Sequence, residues 1–500
     1  MSNYDKKPEV RVCGYDEDSY EGYENILLEI KSKIKKNKKS VIVIDCYPGA
    51  DQNEILNSFK KLDPVLIVNS DNCSYDGDDI TRLIKDNLTN DRVFGVLTTK
   101  KLDDFFIGEK ISEEREKIRW LKEGIILIIG VGASFISEGD ILIYADLARW
   151  EIQLRYRAGL PNWKMQNYDE PILSKYKRGY FVEWRLADRH KKDIYSKIDY
   201  LLDTNEKNNP KMITGEAFRA GIYQTSKRPF RIVPYFDSGV WGGQWMKKKF
   251  NLPKDKTNYA WGFDGVPEEN SLYLRYGKVR IEVPSINIVF FQPENLLGNR
   301  VYGRFGTEFP IRFDFLDTID GQNLSLQVHP LTEYIQDNFG MHYTQDESYY
   351  ILDAKEDGTV YLGLRDNINK EDMISDLKRA EKDGIHFQTE KYINKFPAQK
   401  HNHFLIPAGT IHCSGSNTMI LEISATPYIF TFKLWDWGRL GSDDLPRPIH
   451  IKHGEKSIQW NRDTNWVKNN LINAVKTISK GDGWVEEHTG LHAAVSYRCL

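Results

Sequence analysis

The sequence predicts two domains of different class: an α/β domain on a parallel sheet over residues 1–225, then a mostly-β antiparallel barrel over residues 226–455. Three observations carry this. In the first third of the chain, nearly all-apolar strand candidates alternate with helical patterns, as in a parallel sheet covered on both faces. From Val233 onward strands are short, turns frequent and helices few, which fits an antiparallel sandwich or barrel. Inside that second part, two distant pieces, Gly321–Tyr350 and Leu405–Glu422, carry polar, ligand-type side chains at strand spacing.

In chain order, Tyr23–Lys36 spaces Ile26, Leu27, Ile30 and Ile34 as a helix does. Ser40–Ile44 reads as a buried strand, Asp45–Ala50 as a turn and Asn53–Lys60 as a helix. Further strands are expected at Val65–Val68, Val93–Leu97, Ile125–Gly130 and Ile141–Tyr144. Polar residues with Pro and Gly make 204–231 a linker. Beyond it SLYLRYG, VRIEVPSINIVFF, YILDA and TVYLGL read as barrel strands, and Lys370–Asp383 and Thr464–Ile478 as helices. Residues 456–500 form a C-terminal helix and a tail expected to be cut short.

Composition narrows the class of function. A net charge of -3 argues against a general nucleic-acid or membrane-surface binder. The N-terminus has no signal-peptide core, and the longest apolar run, Gly124–Val131, is far too short to span a bilayer. Cysteines 13, 46, 73, 413 and 499 are scattered and odd in number, which points to reduced thiols and a cytoplasmic protein.

The chemistry concentrates in the two polar pieces. Leu324, Leu326 and Val328 alternate with Ser325, Gln327 and His329, so Gln327 and His329 project from one face. Downstream, Phe404–Ile406 reads as a strand, Pro407–Thr410 as a turn eased by Gly409, and Met419–Ile423 as the returning strand, with His412 between. Alternation puts Cys413 on the face opposite His412. Imidazole nitrogen, carboxylate oxygen and amide oxygen from three segments can enclose a divalent ion.

These pieces resemble a known family. Gly321, Gln327 and His329 are similar to the first cupin motif, with Gln in the first ligand place; Pro407, Gly409 and His412 are similar to the second. LSLQVHP, ESYYILDA, YLGL, IPAGTIH and LEIS, in that order, resemble the class I, zinc-dependent mannose-6-phosphate isomerases. VWGG, FPIRFDFLD, FKLWDWGRLG and RPIHI extend the likeness over residues 234–453. The resemblance implies a cupin jelly-roll barrel and one Zn2+ per chain, held by Gln327, His329, Glu347 and His412. It implies an active-site Arg439 and interconversion of mannose 6-phosphate and fructose 6-phosphate through a cis-enediol. A Gln/His/Glu/His set also admits Mn2+ or Fe2+.

Two family lysines are replaced, by Gln345 and Asp314, with Arg312 two residues before the latter. That keeps open a non-catalytic, metal-stabilised sugar-binding or regulatory cupin, or an isomerase for a different sugar. Lys400, His401, His403, Glu422 and Asp436 stand as further polar groups, each either structural or near the chemistry. Upstream, the turn after Ile44 resembles a P-loop, but Ala50-Asp51-Gln52-Asn53-Glu54 lacks its second glycine, lysine and hydroxyl. Asp146–Arg157, Trp184–Lys192 and Ile198–Asn205 resemble nucleoside-kinase-like P-loop proteins, so residues 1–225 read as a degenerate kinase-like domain. The expected partner is a small sugar phosphate, with no nucleic acid and no membrane; the oligomeric state stays open.

Overall fold

The computed structural model describes residues 3–35, 38–425, 429–441, 446–482 and, for the backbone, 484–489. Cys499 and the rest of the C-terminal tail lie outside the described residues. The chain forms two compact units: Lys6–Val233 with Pro267–Phe309, and Met1–Asp5 with Pro234–Val266 and Pro310–Leu500. Among the described residues no helix is long and apolar enough to cross a membrane.

The first unit contains β1 (Glu9–Arg11), β2 (Ser19–Glu21), β3 (Lys39–Cys46), β4 (Leu66–Asn69), β5 (Gly124–Gly130), β6 (Ile141–Asp146), β7 (Tyr200–Asp203) and β8 (Lys211–Thr214). Seven of them form one sheet in the order β2-β8-β7-β6-β3-β5-β4. The strands from β7 to β4 are parallel, and β8 and β2 add antiparallel. Burial explains the apolar runs: Ile42, Val43 and Ile44 of β3 and Ile126 and Ile128 of β5 are fully inaccessible. At the expected P-loop turn, Asp51 caps the helix Gln52–Phe59, its side chain accepting from Glu54 N.

Three expectations fail here for tertiary reasons. Val93–Leu97 forms no strand; Val96 N donates to Asn87 O of the short helix Lys85–Leu88, and Thr98 N just after it donates to Phe181 O. The expected linker 204–231 holds β8 and the helix Gly215–Ser226, which buries Ala217, Phe218 and Ile222. SLYLRYG and VRIEVPSINIVFF are not barrel strands: Ser271–Tyr276 and Val279–Pro284 form a hairpin whose first strand pairs with β1. The hairpin buries Leu272, Leu274, Ile281 and Val283 in the first unit, so the boundary expected at 225/226 does not separate the two units. Period-2 alternation announces a half-buried strand but not the sheet it joins.

Glu282 of this hairpin has its Oε1 buried without a hydrogen bond. Burial, then the Asp203 carboxylate, pushes its carboxyl up to about 7. An acid raised in the folded state costs stability as pH climbs from its ordinary value through the raised one. Between pH 5 and pH 8 the unit is expected to lose up to about 3 kcal/mol. Glu282→Gln should flatten that slope in urea titrations; an unchanged slope would assign it to another group.

The second unit contains β9 (Tyr235–Asp237), β10 (Trp261–Phe263), β11 (Ile311–Asp317), β12 (Leu326–Val328), β13 (Glu347–Ala354), β14 (Thr359–Leu364), β15 (Ile393–Pro397), β16 (His403–Ile406), β17 (His412–Ser414), β18 (Thr418–Ala425) and β19 (Phe432–Trp435). They make two antiparallel sheets, β16-β13-β18-β11-β10-β9 and β15-β14-β17-β12-β19. The helix expected at Thr464–Ile478 stops at Asn470, and Val475–Gly481 is a strand.

Strand β11 is inverted relative to an ordinary core strand. Arg312 and Asp314 are buried, whereas Ile311 and Phe313 are 41% and 38% exposed. Charged side chains buried on one face of a strand mark a candidate site there.

Candidate metal centre

Strand register brings the predicted ligands together. Gln327 on β12 stands directly across from His412 on β17. His329 follows β12, and Glu347 opens β13 in the other sheet. The turn before His412 needs its glycine: Gly409 sits at φ +85°, and a Cβ there would lie 2.5 Å from Gln459 Cγ. Gly409 N also donates to His329 O at 3.0 Å, tying the two ligand segments together.

His329, Glu347 and His412 are all buried, and one ligand atom from each lies within 4.8 Å of the others. His329 Nε2 is 3.1 Å from Glu347 Oε2, and His412 Nε2 is 2.7 Å from Glu347 Oε1. Gln327 Nε2 lies 3.2 Å from His412 Nε2, and a flip of that amide presents Oε1 at the same place.

The donor set fits a metal ion. His412 Nδ1 is 2.9 Å from Thr410 O and His329 Nδ1 3.3 Å from Phe430 O. With each Nδ1–H donating to a backbone carbonyl, both Nε2 lone pairs turn inward, the arrangement that orients ligating histidines. Glu347 Oε1 makes no hydrogen bond although His412 Nε2 is so near. Two acceptors that close need a shared proton or a cation between them. Burial works against the Glu347 charge, yet the two imidazoles hold its carboxyl well below the usual range. Nitrogen and oxygen donors of this kind suit Zn2+, and also Mn2+ or Fe2+.

Around these four residues, strand pairing places Glu422, which the sequence left undecided, and Lys433, which it did not single out. Glu422 on β18 pairs with Tyr349 and with Asp314, so it faces inward beside Glu347. Gln345 Nε2 donates to Glu347 Oε2 at 2.8 Å and to Glu422 Oε1 at 3.4 Å. Burial, then the Glu347 and Asp314 carboxylates, pushes the Glu422 carboxyl well above its ordinary value. Lys433 on β19 lies directly across from Gln327. Its neighbour Phe432 packs on Tyr334, Phe339 and His453, and Leu434 approaches Gly454, so Lys433 shares the ligand face. The signal for both was visible: one charge flanked by apolar residues, in Leu421-Glu422-Ile423 and Phe432-Lys433-Leu434.

The other candidates have partners of their own. His403 pairs with Tyr350 and so lies on the face opposite Tyr349 and Glu347. His401 Nδ1 is 2.6 Å from Tyr350 Oη. Arg439 donates to Asn323 O at 2.7 Å and pairs with Asp436, which also pairs with Arg447. Cys413 is fully buried next to His412 and, as expected from alternation, is not part of the ligand cluster.

Comparison with known proteins finds a family described as a domain of unknown function, DUF8485, matching residues 22–227. Mannose-6-phosphate isomerase ManA of Bacillus subtilis is 24% identical over 237 residues, 46% of this chain and 67% of that protein. The mannose-6-phosphate isomerase of Streptococcus mutans is 26% identical over 215 residues, 43% of this chain and 62% of that protein. A crystal structure of the Bacillus subtilis mannose 6-phosphate isomerase aligns with a TM-score of 0.42 at 18% identity, covering 53% of this chain and 76% of that one. About half the chain is therefore homologous, at low identity, to mannose-6-phosphate isomerases.

Proposed function

We propose that the second unit is a metal-dependent aldose–ketose isomerase acting on a sugar phosphate, with mannose 6-phosphate and fructose 6-phosphate as its substrate pair. The observation that carries this is the convergence of Gln327, His329, Glu347 and His412 inside a barrel that also turns Glu422 and Lys433 inward. The names of the homologous isomerases support the substrate class. Those four residues would hold a divalent ion, which when bound would supply Lewis-acid polarisation of the sugar carbonyl. Glu422, the inward carboxyl beside the ligands, carries the proton between C1 and C2.

Lys433 supplies a cation for the phosphate, in a pocket where Asp314 and Gln345 stand at the family's lysine places. Arg439, expected at the active site, acts in this reading through Asp436 and the Asn323 carbonyl, as a positioning residue. Lys433→Met is expected to raise KM for mannose 6-phosphate roughly tenfold to a hundredfold with metal content unchanged. An unchanged KM would place the phosphate elsewhere.

Asp314 and Gln345 favour a second reading, a metal-stabilised sugar-binding cupin without catalysis. A coupled assay with mannose 6-phosphate, before and after chelation, separates the two. Turnover that chelation abolishes and Zn2+ restores is the expected result; sugar binding without turnover under any metal would leave the binding module. For the first unit the reading is a P-loop-kinase-like sheet without a working phosphate loop. Its support is β3 lying between β5 and β6, and the Asp51 carboxylate at the start of the following helix.

A further inference from the structure

The first unit carries a second dense cluster of buried ionisable groups, unrelated to the metal centre. In its sheet β3 lies between β5 and β6; the chain leaves β3 for β4 on one side and β6 for β7 on the other. An open α/β sheet takes its ligand beyond the carboxyl ends of such a strand pair. In this chain the groups at those ends are bonded to the helix Trp184–Ile194.

Three residues of that helix make the contacts. Lys191 Nζ is 2.9 and 2.7 Å from the two carboxylate oxygens of Asp146, the last residue of β6. It also reaches Asn287 Oδ1 at 3.2 Å and sits 4.6 Å above the Tyr47 ring. Asp188 accepts from Tyr47 Oη and from Arg149 Nη2, both at 2.9 Å. His190 Nε2 is 2.8 Å from Asp45 Oδ2 near the end of β3. Asp45 also accepts from Gly132 N at 3.1 Å and Ser134 N at 3.0 Å. Backbone amides of a loop are groups that can grip a bound anion; here those of Gly132 and Ser134 are taken by a carboxylate of the chain. Asp45, Asp146, Arg149, Asp188, His190 and Lys191 are all 7% exposed or less.

We propose that the helix Trp184–Ile194 is a permanent stopper: the chain fills its own ligand crevice, and the unit takes no nucleoside triphosphate there. The alternative is a hinged lid, swinging on the π-helical turn Gly179–Glu183 just before it. That turn is anchored, because Glu183 pairs with Arg178 at 2.9 Å and accepts from Asn162 Nδ2 at 3.0 Å, all in the interior. The stopper does not depend on the isomerase reading.

Hydrogen exchange on the full chain separates stopper from lid. The amides of Trp184–Ile194 are expected to exchange together with those of β3 and β6, and MgATP to change neither their protection nor the melting temperature. Exchange of that helix well ahead of β3, or protection of it by MgATP, would overturn the proposal. A mutant cycle adds a second measurement. Lys191→Met and Asp146→Asn are each expected to lower the melting temperature, and the double variant to lose clearly less than the two losses added. Additive losses would break the lock. If the single variants do not fold, the exchange pattern of the unmodified protein still decides.

Discussion

His412→Ala is expected to strip the metal from the barrel and abolish isomerisation. His412 contributes one of two imidazoles, stands across from Gln327 and lies 2.7 Å from Glu347 Oε1, so its loss opens the centre of the donor set. A change in a residue that merely orients a ligand costs ~10–100-fold in metal affinity, and loss of a ligand should exceed that. Elemental analysis of the purified variant should find far less than one ion per chain. The strands of the first unit should keep their exchange protection, because His412 belongs to the other unit. Full occupancy in the variant would remove His412 from the ligand set and, with it, the basis of the proposed function.

The second large effect is expected at Glu422. Glu422→Gln keeps the shape of the side chain and a hydrogen-bonding end toward Gln345, but cannot accept and return a proton. General acid–base groups contribute ~10²–10⁴-fold, so kcat for mannose 6-phosphate should fall by that order with zinc content retained. Exchange of the substrate's C2 hydrogen with solvent should fall in parallel, since that is the step proposed for Glu422. If kcat stays within a few-fold, or if the metal is lost, Glu422 is structural or a ligand and the proton carrier is another group.

Much of the geometry of the candidate metal centre was legible in the chain itself. Gln327 and His329 share a face because strand side chains repeat every second residue, and the turn at Gly409 limits where His412 can go. The continuous apolar runs of β3, β5 and β6 likewise announce a sheet buried on both faces.

What alternation cannot supply is which face is inside and which strand is the neighbour. Phe309–Asp317 has Phe and Ile on one face and Arg312 and Asp314 on the other; burial of apolar area would favour the former inward. At Ile311–Asp314 the fold does the reverse: Arg312 and Asp314 are buried, Asp314 directly across from Glu422, while Ile311 and Phe313 stay partly exposed. Glu422 and Lys433 join the site through the pairings of β18 with β13 and β11 and of β19 with β12. The hairpin Ser271–Pro284 shows the same limit, since its partner β1 lies more than 250 residues away in the chain.

Residue order alone therefore determined the donor types, their spacing and the class of each half. Only the tertiary structure decided which segments meet, where the charged faces turn, and that the helix Trp184–Ile194 is bonded to the ends of β3 and β6. The physical reason is that local periodicity is set by backbone geometry within a few residues, whereas strand partners and burial are set by contacts the chain makes only on folding.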